Sequence, residues 1–431
     1  MPLRAVLTAQ AAIAAVAVLL LSACGGSAPV PSSATPIDAQ TAAGTSGTAQ
    51  WLQPYFNGAH TGFNSLESTL NRSNVGSLTQ LWSLPTGGQI TDPVIVQTGV
   101  AYVNSGDGYL YAVNASTGAL IWKYETYEGM TPQNAPLLVG GLAIVPCVVG
   151  GNLQKNAMCG IKAATGKRVW AYYDDCNCSP PAGVSSGAVA SGTTVVFDYQ
   201  DGGTSPSYVA AVDAANGTRI WAGGPLPNGP GWSAAIAGGQ VFFGTGSDVC
   251  AASLANGTQA WCTSVGSEPS IASANGVVYV NTLYNGVFAL NASTGAQIWQ
   301  YTPTPVNSSG NYDPPAIARG ILYVAGVGFS GNRRAQLYGL NASTGTQIFN
   351  TSRAGSSAYT DSSPSVANGV VYVECQSGLC AFNSSTGALL YESGSTWSTN
   401  VSPAIVNGVA YEACGSNTAC AYGLPGSLER R

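Results

Sequence analysis

The sequence predicts an all-β chain, an eight-bladed β-propeller of four-stranded blades, on three observations. One phrase recurs: "NASTG" stands at Asn114–Gly118, Asn291–Gly295 and Asn341–Gly345, and "NSSTG" at Asn383–Gly387, each between apolar runs. Related turns fill the intervals, so Gly118, Gly166, Gly217, Gly257, Gly295, Gly345 and Gly387 follow one another roughly 40–50 residues apart, the length of one propeller unit. Composition agrees: 55 Gly, 8% charged residues and plentiful Val, Tyr, Ser and Thr suit short strands joined by tight turns.

In chain order, residues 1–23 read as a signal peptide, because Arg4 precedes an apolar run that ends in Leu-Ser-Ala before Cys24. That Cys, so placed, resembles the lipobox of bacterial lipoproteins. The expected mature chain begins at a lipidated Cys24, with simple secretion or an uncleaved anchor as the alternatives. Several acyl chains on one Cys hold stably to a bilayer. The expected address is therefore extracytoplasmic, on the periplasmic side of a bacterial membrane or at the cell surface. Residues 24–50 are small, polar and Pro-containing without periodicity, and read as a flexible tether. Residues 51–78 form a lead-in, 79–425 the propeller and 426–431 a short tail.

Val100–Thr126 shows the unit: a strand, an "SGDG" turn, the strand "YLYAV", the "NASTG" turn and the strand "ALIWKY". Gly accepts positive φ without steric cost, and Asn before the turn can bond its own backbone two residues on. A further strand opening at a Pro recurs, in "TDPVIV", "QNAPLLV", "YDPPAIA", "SSPSVA" and "VSPAIV". The eighth unit stops without its outer strand, while "LTQLWSLPT" (Leu78–Thr86) precedes the first full one. The strand around Trp82 is therefore expected to complete the last blade and close the ring, leaving no open edge. Trp82, Trp122, Trp170, Trp221, Trp261, Trp299, Phe349 and Leu390 are the expected pins, one per blade. The Asn-x-Ser/Thr matches at Asn114, Asn216, Asn256, Asn291, Asn341 and Asn383 fall in the repeat turns and read as turn residues.

Eleven Cys leave ten after Cys24, an even number in an exported chain. The repeat supplies a frame for pairing them. Cys159, Cys250, Cys380 and Cys420 share one position on the third strand; Cys147, Cys375 and Cys414 share one at the end of the second; Cys262 follows Trp261 on the fourth. The expected bridges are Cys147–Cys159, Cys250–Cys262, Cys375–Cys380 and Cys414–Cys420. Cys176 and Cys178 remain, either bridged to each other or free. Zinc is disfavoured, since the only His in the chain is His60.

The net charge is −5 with no Lys/Arg run, which excludes nucleic acid as an expected partner. The chain is expected to be a monomer.

"YLYAVNASTGALIWKY" (Tyr109–Tyr124) resembles the repeat of the PQQ-binding-like, quinoprotein-type propellers, and Trp51–Trp82 looks like their lead-in. The resemblance spans about residues 51–425. It implies the fold, not one function. The family holds quinone-dependent dehydrogenases and also a non-enzymatic lipoprotein of outer-membrane barrel assembly. The dehydrogenases need a carboxylate-lined calcium site, an Asp base, cations for the quinone carboxylates and a disulfide between adjacent Cys. Cys176-Asn177-Cys178 matches that last feature poorly, and no motif places the calcium ligands. No cofactor is expected; PQQ with calcium is the alternative.

Asp92, Asn134, Asp313 and Asp361 lie just before the strand-opening positions. They form either a polar or cation-binding ring at the channel mouth or, the favoured reading, ordinary turn contacts to backbone amides. Glu374 and Glu412 precede bridging Cys, and Asp198 lies on a corresponding strand; each meets ligand or faces channel water. Lone His60 reads as a capping or packing residue. Trp232 and Trp397 break the pin pattern and are candidate surface or channel aromatics. The resulting expectation is a non-catalytic protein- or peptide-binding scaffold of the cell envelope. The alternatives are a PQQ- and calcium-dependent dehydrogenase, and a carbohydrate-binding surface protein.

Overall fold

The computed structural model describes residues 50–126, 135–149, 155–173, 183–184, 187–200, 207–226, 234–266, 269–283, 285–302, 313–328, 334–352, 362–375, 378–394 and 401–426. They form eight sheets, each built on four antiparallel strands from an inner to an outer position; two sheets carry a fifth short strand, Phe63–Asn64 in parallel beside Ser365–Ala367, and Gly183–Val184 beside Thr194–Gln200. Blade 1 is Ile95–Gln97, Val100–Ser105, Tyr109–Asn114 and Leu120–Glu125. The innermost strands of blades 2 to 8 are Leu137–Val139, Val189–Ser191, Ala234–Ala237, Ser270–Ala274, Ala316–Ala318, Ser365–Ala367 and Ala404–Val406. Blade 8 takes its outer strand from the beginning of the propeller: Thr79–Pro85 pairs antiparallel with Thr418–Gly423, placing Trp82 opposite Ala421. The ring is closed, as the repeat count requires.

The recurring turn and the recurring Trp are two halves of one contact between neighbouring blades. Asn114 Oδ1 accepts the Ser116 and Thr117 amides, and the Gly118 amide bonds back to the Asn114 carbonyl. Gly118 has φ +72°, and a Cβ there would lie 3.0 Å from the ring of Trp82. The Trp82 indole N–H donates to the Ala115 carbonyl of the same turn at 2.9 Å. The arrangement repeats at Trp122, Trp170, Trp221, Trp261 and Trp299, whose indoles bond the next blade's turn at Ala163, Ala214, Leu254, Ala292 and Ala342. Phe349 packs on Gly387 without the bond.

Blade 7 corrects the expectation at Leu390. Tyr391 pairs with Ala381 as Trp122 pairs with Ala112, so the pin position is Tyr391. The physical reason lies in the closure. Blade 8 joins its outer strand from the other end of the propeller, so it has no turn glycine at this place to receive an indole.

Disulfides join Cys147–Cys159, Cys250–Cys262, Cys375–Cys380 and Cys414–Cys420, each within one blade. Cys24, Cys176 and Cys178 lie outside the described residues.

Candidate functional site

The central feature is the lead-in. Trp51–Asn64 meets the inner strand of every blade, in order. Trp51 exchanges backbone bonds with Val96 of blade 1, and the Leu52 carbonyl accepts the Leu138 amide of blade 2. Gln53 bonds both backbone groups of Ala190 in blade 3 through its side-chain amide. The carbonyls of Gly58, Ala59, Thr61 and Gly62 accept the amides of Ile236, Ser273, Ile317 and Val366 in blades 4 to 7. Asn64 donates its side-chain amide to the Ile405 carbonyl of blade 8 at 2.7 Å. Inner strands would otherwise present unpaired backbone groups, and this segment satisfies one group or more on each.

The local sequence explains why the segment can turn so tightly. A Cβ on Gly58 would stand 2.3 Å from the Ala190 carbonyl oxygen; Gly62 has φ +60° and would meet Ala316 and Pro364. Asn57 Oδ1 caps the Ala59 and Thr61 amides. Tyr55, Phe56 and His60 also have positive φ. Such residues cost of order 1–3 kcal/mol each and persist where the surroundings over-determine them. His60 is 4% exposed, its Nδ1 3.2 Å from the Ile271 carbonyl. Burial lowers its pKa to about 4, so the ring is neutral.

Tyr55 brings two of the sequence candidates together. Burial raises its phenol, and the Asp313 and Asp92 carboxylates push it further in the same direction. The Ser363 hydroxyl, 2% exposed, also faces it. Burial raises Asp92 to about 7, against the opposing pull of the Thr91 hydroxyl (3.1 Å) and the Ala135 amide. Asp92 and Asp313, two of the four strand-opening candidates, thus make the mouth around this lead-in phenol acidic.

Glu374 does not belong to this mouth. It is fully buried, as is Glu412, and the two carboxylates meet between blades 7 and 8. Neither faces channel water. Glu374 stands one register place later along its strand than Glu412, so the two point from opposite strand faces toward the shared interface. Glu374 accepts the Val401 amide at 2.6 Å. The Tyr422 hydroxyl and the Leu379 amide lean toward Glu412 without closing bonds of full geometry. Burial, then the Glu374 charge, hold Glu412 well above the usual carboxylate range. Asp361, Asn134, Trp232 and Trp397 lie outside the described residues.

Sequence reasoning missed Tyr55, and it missed Glu67, which is 4% exposed and accepts the Gly408 amide of blade 8. The paired glycines of "FNGAHTG" were the available signal.

Around Tyr55 the described polar side chains include the Asp92 and Asp313 carboxylates, the Ser363 hydroxyl and the neutral His60 ring, its centroid 4.9 Å from the phenol ring. Such a set fits a cation; it does not fit the anionic carboxylates of a quinone, which need cationic donors. Among the described residues no group of three or more His, Cys, Asp or Glu converges.

The family model described as "Outer membrane protein assembly factor BamB" matches residues 67–224, 205–326 and 308–425. Outer membrane protein assembly factor BamB of Escherichia coli strain K12 is 34% identical over 107 residues, 23% of this chain and 27% of that protein. The chain therefore aligns with about a quarter of that relative's length. Quinohemoprotein alcohol dehydrogenase ADH-IIG of Pseudomonas putida is 25% identical over 265 residues, 55% of this chain and 36% of that protein. Among solved structures, quinohemoprotein alcohol dehydrogenase from Comamonas testosteroni superposes with a TM-score of 0.70 at 15% identity, covering 89% of this chain and 81% of that one. BamB from Moraxella catarrhalis does so at 0.59 and 14%, covering 80% and 99%. These structural likenesses show the propeller. The matched stretches run from the lead-in through all eight blades, and the chain belongs to the PQQ-like propeller family described as outer membrane protein assembly factor BamB.

Proposed function

We propose that this chain is a non-catalytic scaffold of the bacterial cell envelope, tethered through lipidated Cys24, that binds a protein or peptide partner on its faces and loops. One observation carries the reading: Trp51–Asn64 engages the inner strand of all eight blades, so the chain itself takes up the inner edges that a channel ligand would use. What remains for recognition is the outer surface of a ring held rigid by interblade indoles and disulfides. The family description, an assembly factor, supports a protein partner. The dehydrogenase alternative is motivated by the 25% identity to a quinohemoprotein enzyme over 55% of the chain. The carbohydrate reading rests on Trp232 and Trp397 alone.

Two measurements test the proposal together. Crosslinking in the native envelope is expected to recover a stoichiometric partner. Titration of the purified chain with pyrroloquinoline quinone and calcium is expected to leave tryptophan fluorescence unquenched. Saturable quenching at micromolar concentration, without a crosslinked partner, overturns the scaffold and favours the oxidoreductase.

A further inference from the structure

The turns that join inner to second strands offer an internal comparison. Their first residues are Thr98, Gly140, Gly192, Gly238, Asn275, Arg319, Asn368 and Asn407, all with positive φ. Seven blades place Gly, Asn or Thr there; blade 6 places Arg319 at φ +50°. Gly and Asn tolerate this left-handed region, whereas other residues, here Thr98 and Arg319, each cost roughly 1–2 kcal/mol. Of the two, Arg319 carries a charge, and its surroundings show what that charge faces.

Arg319 is exposed, and it lines a groove of about 200 Å³ between blades 6 and 7 together with Arg72 of the lead-in. Arg72 comes from a pinned segment. Glu67 accepts the Thr69 and Leu70 amides, and Asn368 donates to the Leu70 carbonyl. Gly369 makes room for the guanidinium, since a Cβ there would stand 3.2 Å from Arg72 Nε. Ser384 and Ser385 of the "NSSTG" turn stand at the same groove, and Phe63 and Ile321 supply apolar wall. Among the described residues no acidic one lines it. In a chain of net charge −5 with only 14 Lys and Arg, two arginines line one groove whose described lining holds no carboxylate.

We propose that this groove binds a carboxylate of an acidic peptide segment. Paired guanidiniums match carboxylate oxygens in parallel bonds, and an apolar wall accepts the methylene stem of Glu, which a bare phosphate lacks. The proposal deepens the scaffold reading and rests on it for the partner's class.

The test uses the purified full chain and a fluorescein-labelled hexaglutamate peptide, followed by anisotropy, with inorganic phosphate as competitor. The expected result is saturable, salt-weakened binding that phosphate displaces poorly. Arg319→Asn, the residue the neighbouring blades use here, is expected to weaken it about tenfold while keeping or raising Tm, and Arg72→Gln to weaken it similarly. Peptide binding that is absent, or unchanged in both variants, overturns the proposal. So does displacement by phosphate at equal concentration, which would identify a free-anion site. Absence of peptide binding alongside a crosslinked envelope partner sinks this groove and leaves the scaffold standing; absence of the partner with peptide binding intact does the reverse.

Discussion

Gly62→Ala perturbs the lead-in at a point where two costs can be separated. The residue has φ +60°, and an added Cβ would lie 2.7 Å from Ala316 Cβ and 2.8 Å from the Pro364 carbonyl oxygen. The left-handed backbone costs a residue with a Cβ about 1–2 kcal/mol, and forcing a methyl into packed surroundings adds about 1–3 kcal/mol. Gly320→Ala supplies the control. Its φ is +79° and its Cβ would meet nothing within 4 Å, so only the backbone cost of about 1–2 kcal/mol applies. Alanine restricts the unfolded chain equally in both variants, and that contribution cancels in the comparison. Urea unfolding followed by tryptophan fluorescence is expected to place Gly62→Ala below Gly320→Ala by about 1–3 kcal/mol at unchanged m-value. Hydrogen exchange should localise the loss to the amides of Ile317 and Val366, which bond the lead-in carbonyls of Thr61 and Gly62. If the two variants agree within about 0.5 kcal/mol, the segment is not packed into the ring as described.

The pH dependence of stability contains opposing slopes. His60 is held neutral down to about 4, so stability falls by up to about 3 kcal/mol as pH drops from 6.5 toward 4 and the unfolded state takes up the proton. Asp92 keeps its proton up to about 7, so its contribution is present at acid pH and lost as pH rises from about 4 to 7. Relative to the unsubstituted chain, urea midpoints across pH 4–8 should fall more steeply with rising pH in His60→Asn and less steeply in Asp92→Asn, where Glu412 still contributes a falling slope. Unchanged profiles would refute the assignments. Trp82→Ala and Trp299→Ala remove matched contacts, an indole bond of 2.9 Å and a stacked glycine, and each is expected to cost about 3–5 kcal/mol in urea unfolding. A much smaller cost at Trp82 would mean that another contact holds the closure. Replacing Cys147 and Cys159 together by Ala, which opens a separation of 12 residues, should cost about 3 kcal/mol, and Cys375 with Cys380, separation 5, about 2 kcal/mol by the same assay.

The blades were legible because the repeat writes its own frame. Turn glycine, Asn and indole recur together, and the same frame locates the strand around Trp82 and aligns the cysteines by strand position. The frame also misled at one place, where Leu390 stands next to the true pin position at Tyr391 in the one blade whose neighbour lacks the stacking turn. The candidate site was largely illegible. Gln53 and Asn64 through side-chain amides, and Gly58 and Gly62 through backbone carbonyls, bond strands more than a hundred residues away at backbone groups that carry no residue code. Glu374 and Glu412 occupy opposite faces of corresponding strands, so period-two reading separates residues that the curvature of the ring brings together.

Asn64 bonds Ile405 across 341 positions of chain. During synthesis the lead-in emerges before any blade, yet its last acceptor, the Ile405 carbonyl, emerges near the end. Its eight anchor points coexist only when the ring does, so it settles last although it is made first. Contacts of such separation carry a large closure entropy and form late. Until then the strand around Trp82 waits for its partner Thr418–Gly423, and the nascent chain is an open arc with two exposed sheet edges. That interval, rather than the finished ring, is when the chain most needs protection from pairing with its neighbours.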